Sequence, residues 1–134
     1  MAHRTKLGVA ISVCAVAVGG SAVAHNKQFS NSVGLVEAKR LSPAIGSYGG
    51  RVHSGNPRCR RHREVQIWRA DVTPEVRLLT THTGPAGRYR RKGAALPDGA
   101  KVYALIETKV LAGSAAHDHT CPVDRSPVRT IPYP

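Results

Sequence analysis

The chain has 134 residues, with 20 lysines and arginines against 8 acidic residues, a net charge of +12 and 41% hydrophobic residues, of which aromatics are few. That length supports one domain around one lean core and excludes a multi-domain architecture. No apolar run reaches the roughly 20 residues of a spanning helix, and so basic a chain favours anionic partners.

The first element is an export signal. Met1 to Lys6 carry His3, Arg4 and Lys6 and no acid, and Leu7 to Gly20 is uncharged and apolar. Gly19-Gly20 ends that run, and Ala22-Val23-Ala24 precedes the polar His25-Asn26-Lys27-Gln28. The pattern predicts a secretory signal peptide over residues 1–24, cleaved between Ala24 and His25, with no stable membrane span afterwards. Cys14 does not make a lipidation site, because Val13 stands where a small residue is needed. Removing residues 1–24 takes away Arg4 and Lys6 and leaves 18 basic against 8 acidic residues, a net charge of +10. It also leaves only Cys59 and Cys121. In an oxidising exterior two cysteines most simply pair, the alternative being two buried free thiols. The cross-link would close a loop of about 60 residues, worth about 4 kcal/mol against the unfolded chain.

Residues 25–46 are polar with a weak apolar patch at Val33, Leu35 and Val36, and are expected to form a flexible leader. From residue 47 to 134 short β-branched or alternating segments are separated by Gly, Pro, Asn and Asp. Strands are predicted at Ser47–His53, Arg63–Ala70, Val76–Thr81, Arg88–Lys92, Lys101–Thr108 and Pro127–Ile131. Turns are expected at Ser54-Gly55-Asn56-Pro57, Gly84-Pro85-Ala86-Gly87 and Leu96-Pro97-Asp98-Gly99. Val102, Ala104 and Ile106 share one face of their strand while Tyr103 and Leu105 face the other, which marks a central strand. The expected fold is all-β: a small Ig-like or prealbumin-like antiparallel sandwich of about seven strands.

The ordered pieces are Tyr48-Gly49-Gly50-Arg51-Val52, then Cys59 ahead of Arg63-Glu64-Val65-Gln66-Ile67-Trp68-Arg69, then Thr83 with Gly87 and Tyr89, then Gly99, Lys101-Val102-Tyr103-Ala104, and finally Cys121-Pro122 with Arg125-Ser126-Pro127-Val128. That order resembles the exported carboxypeptidase-regulatory-like, or transthyretin-like, β-sandwich domains of bacteria, over residues 47–131. It departs from them at Gly84, where an Asp is usual. The resemblance implies the fold and a disulfide joining the entrance of the second strand to that of the last. It implies no reaction, since such domains mostly stabilise, space or bind.

Catalysis is not expected. There is no G-x-S-x-G, both remaining cysteines have each other as partners, and the acids are scattered. No cofactor is expected. The most visible chemical feature is a pair of basic runs, one holding Arg58, Arg60, Arg61 and Arg63, the other Arg88, Arg90, Arg91 and Lys92. On neighbouring hairpin ends they would form one positive patch able to grip phosphates or sulfates through guanidinium forks. The partners outside a cell would be an anionic extracellular polymer or another surface protein. Nucleic acid is not expected, for want of exposed aromatics to stack on bases. The alternative is metal binding by His117 and His119, which share a face at i and i+2 on an extended strand.

Overall fold

The computed structural model describes residues 27–111 and 119–134. The expected signal segment, with the expected cleavage point between Ala24 and His25, and the candidate metal ligand His117 lie outside the described residues. The described chain runs β1 (Lys27–Gln28), β2 (Asn31–Arg40), β3 (Ile45–Ser54), α1 (Pro57–Arg60), β4 (Glu64–Arg69), β5 (Val76–His82), β6 (Arg88–Ala94), β7 (Lys101–Ile106), β8 (Lys109–Leu111), β9 (His119–Cys121), β10 (Asp124–Arg125) and β11 (Arg129–Thr130). No helix among the described residues is long and apolar enough to cross a membrane.

Two antiparallel sheets make the sandwich. One has the order β2-β3-β6; the other has β10-β7-β4-β5, with β11 also paired to β7. A small third sheet, β1-β9-β8, lies beside the disulfide and has β1 parallel to β9. Alternation along each strand sends one side-chain set inward. Val33, Leu35, Tyr48, Val52 and Tyr89 from the first sheet meet Val65, Ile67, Val102, Ala104 and Ile106 from the second. The two tyrosines of this core keep a partner for their hydroxyls: Tyr48 donates to Ala94 O at 2.8 Å and Tyr89 to Gly34 O at 2.7 Å. Strand β7 is central as expected, and its second face is covered: Arg125 lies over the Tyr103 ring, 3.6 Å from the centroid, and the Tyr103 hydroxyl donates to Glu75.

The turns also follow the sequence. Gly87 and Gly99 adopt φ of +81° and +89°, the left-handed region that glycine enters without a Cβ clash. Asn56 caps the one-turn helix α1, its Oδ1 accepting from Arg58 N at 2.9 Å, with Pro57 at the first helical position. That turn of helix was not anticipated, because four residues display no periodicity. It brings Cys59 to Cys121, and the two form a disulfide between residues 62 apart in sequence.

The leader expected over residues 25–46 is instead structured from residue 27 onward. Strand β2 pairs along the whole of β3 and buries Val33, Leu35 and Ala38 in the core. Its backbone is tied down further by Asp124, whose carboxylate accepts from Val33 N at 2.8 Å. An irregularity between Leu35 and Glu37 shifts the alternation by one residue, so that Ala38 rather than Glu37 faces inward. A broken period is a weak strand signal, and that is why the segment read as a leader.

Candidate anion-binding groove

On β3 the residues that alternate with Tyr48, Gly50 and Val52 point away from the core, namely Ser47, Gly49, Arg51 and His53. On β6 the same rule, set by buried Tyr89, turns Arg88, Arg90 and Lys92 to that outer face. The register then fixes three rows across the sheet: Ser47 opposite Lys92, Gly49 opposite Arg90, and Arg51 opposite Arg88. From the other side β2 contributes Lys39 opposite Ser47 and Glu37 opposite Gly49. Successive rows lie about 7 Å apart along the strands.

The outcome is an open groove of about 630 Å³, floored by Gly49 and Gly50 and walled by Val36, Glu37, Arg51, Arg88, Tyr89, Arg90 and Pro134. Its middle row is partly neutralised. Glu37 accepts from the Ser47 hydroxyl at 2.6 Å and stands 3.4 Å from Arg90 and 3.5 Å from Lys39. The Ser47 hydrogen bond, helped by Arg90 and Lys39, holds the Glu37 carboxyl below its usual pKa against the opposing effect of burial. The last row is not neutralised. Arg51 and Arg88 are directly opposed, neither has an ion pair among the described residues, and Arg51 Nε is buried with no hydrogen-bond partner. Like charges placed directly across a strand pair destabilise a sheet. Two arginines at opposed positions that line one groove are suited to a shared oxyanion.

The expected basic residues do not form a single patch. Arg88 and Arg90 line the groove, and Lys92 lies on the same outer face opposite Ser47. Arg91 alternates to the other side, where its Nη1 donates to Thr80 O at 2.8 Å and ties the edge of the first sheet to the second. Arg58, Arg60 and Arg61 sit on and just after α1 at the end of the sandwich, Arg60 Nη1 donating to Ser54 O at 2.9 Å. There Arg58, Arg61 and His62 share a shallow depression with Lys109. Burial, reinforced by Arg63, Arg58 and Arg61, pulls the Lys109 amine below its usual pKa.

Arg63 is not a surface residue. It is 2% exposed, and its guanidinium donates to the carbonyls of Cys59, Glu107, Cys121 and Pro122. It stands one residue before β4, in phase with inward-facing Val65 and Ile67, so period-2 counting back from Val65 identifies it. Sequence reading also missed Arg51, Lys39 and Lys109. Counting outward from Val52 would have placed Arg51 on the exposed face, but its pairing with Arg88 depends on a register the sequence does not print.

His119 lies in β9 with its ring edge-on to Phe29, centroids 5.6 Å apart. Among the described residues no three His, Cys, Asp or Glu side chains are grouped so as to hold a metal ion. No family model matches the chain, and no curated protein or solved structure matches it either, so the groove's own chemistry is what speaks to function.

Proposed function

We propose that this protein is a secreted, non-catalytic β-sandwich module of the carboxypeptidase-regulatory-like kind, which binds an anionic polymer at the cell exterior through its Arg-lined groove. The opposed Arg51 and Arg88 carry the reading, because a like-charged cross-strand pair with an unpartnered buried Nε is unfavourable until an anion arrives. An open groove suits a linear ligand that extends past both ends. The export signal supports a partner outside the cytoplasm, and the Cys59–Cys121 disulfide suits an oxidising compartment.

The test is binding of the mature chain to immobilised heparin as a generic polyanion. Retention should fall steeply as salt rises, because screening and counterion release both weaken such contacts. Arg51→Gln and Arg88→Gln should each weaken binding by about tenfold, the worth of a charge-assisted contact. Retention that ignores both salt and these substitutions would sink the proposal. Export is checked separately by the mass of the secreted protein, which should begin at His25.

A further inference from the structure

The groove holds a fixed carboxylate among its cations, and that carboxylate has spare accepting capacity. Glu37 Oε1 is occupied by the Ser47 hydroxyl at 2.6 Å. Oε2 accepts from Arg90 Nη2 at 3.4 Å and stands 3.5 Å from Lys39, both at or beyond the long end of hydrogen-bond range. Because both contacts are long and therefore weak, Oε2 can exchange either of them for a shorter bond from a donor that arrives from the groove. Next to it Val36 is 62% exposed, and Gly49, which turns no side chain to the outer face, leaves a flat floor between Val36 and the arginine row.

A ligand anionic along its whole length, such as polyphosphate, is repelled by Glu37 and gains nothing from Val36. A chain of acidic sugars offers three things in each unit: an anionic group, hydroxyl donors and an apolar C–H face. The arginine row and the Glu37 row are about 7 Å apart, a separation that one sugar unit with its substituents spans. We infer that the groove selects an acidic polysaccharide. Its carboxylate or sulfate lies between Arg51 and Arg88, its neighbouring hydroxyls donate to Glu37 Oε2, and its ring lies over Gly49 against Val36. The inference rests on the groove being the binding surface proposed above.

The experiment compares alginate with linear polyphosphate of matched length, by calorimetry on the mature chain at low salt. Arg88→Gln should weaken both ligands. Glu37→Gln should weaken alginate by about tenfold, since hydrogen bonds to a charged group are the stronger ones, and should tighten polyphosphate by relieving repulsion. Tightening of both ligands by Glu37→Gln, with Arg88→Gln still weakening both, would overturn the saccharide inference while leaving anion binding in place. If Arg88→Gln changes neither ligand, the groove itself is wrong and both readings fall. Because Glu37 also helps to hold β2 to β3 through Ser47, Val36→Ser gives an independent reading at an exposed position. It should weaken alginate about threefold and leave polyphosphate unchanged; equal effects on both would count against the inference.

Discussion

Replacing Arg63 by alanine removes a side chain that is 2% exposed and that donates to Cys59 O at 3.0 Å, Glu107 O at 2.6 Å, and Cys121 O and Pro122 O at 3.2 Å each. Asn31 Oδ1 stands a further 3.4 Å away. No carboxylate is among these partners, so the charge is solvated by carbonyl dipoles alone, and burial pulls the Arg63 pKa below its usual value. The fork joins the backbone on both sides of the disulfide to the start of β4. A buried acceptor left unmet costs about 1–3 kcal/mol. The Cys59 and Cys121 carbonyls are both in buried contacts, so about 2–6 kcal/mol is lost on this account, and the void adds to it. Against the roughly 5–15 kcal/mol that holds a domain together, a loss of about 4 kcal/mol should lower Tm by roughly 15–30 °C. Thermal melting of the oxidised protein measures this directly. Arg63→Leu restores much of the volume without the donors and should recover less than half of the loss. A leucine variant as stable as the parent would refute the hydrogen-bonding argument, since apolar replacement of buried charge is sometimes neutral.

Gly50→Ala should be strongly destabilising, because its Cβ would overlap the Gly34 carbonyl oxygen and the Tyr89 hydroxyl across the core face of β3. Gly34→Ala, whose nearest neighbour would be Arg51 O at 3.7 Å, should melt close to the parent, and equal losses at the two sites would refute the packing reason. Asp71 accepts from Arg69 Nε at 2.9 Å and Nη2 at 3.0 Å, and that guanidinium holds its carboxyl at about 2. A depressed folded pKa contributes stability above the unfolded value and loses it as pH falls from about 4 to about 2. The Tm difference between parent and Asp71→Asn should therefore be constant from neutral pH down to about 5 and close up below 4; a difference that persists at pH 2 would contradict the pairing.

Strand β7 was legible because both of its faces are apolar in strict alternation, from Val102 to Ile106, and the structure places it at the centre of its sheet. Strand β2 was not, because the irregularity at Val36 breaks the period that would have joined Val33 and Leu35 to Ala38. The two basic runs are uniform in the sequence, yet the fold divides each of them, the first between α1 and the start of β4 and the second between the two faces of β6. Arg63 goes inward with Val65, and Arg91 crosses to Thr80 while its neighbours Arg90 and Lys92 turn to the outer face, Arg90 lining the groove. Composition counts cations without regard to parity; the strand assigns them to opposite faces. What no parity argument supplies is register, and register is what sets Arg51 against Arg88 and Glu37 against Gly49.

Strand β6 is an edge of its sheet, and charged side chains on edge strands keep sheets from pairing with one another. That role alone accounts for Arg90, Arg91 and Lys92 as well as any ligand does. It does not account for Arg51. Strand β3 lies between β2 and β6, its ladder occupied on both sides, so a charge there guards no edge. Placed opposite Arg88, it sets two like charges across one row, neither with an ion pair among the described residues. Edge protection would be served equally well by a neutral residue at position 51, and better by one that does not repel Arg88. The two explanations therefore differ in sign for a single measurement. If the pair exists to hold an anion, Arg51→Gln should raise the Tm of the free protein slightly while it weakens heparin retention, a residue kept for function at the expense of stability. If Arg51 serves only the fold, the same substitution should lower Tm and leave retention unchanged.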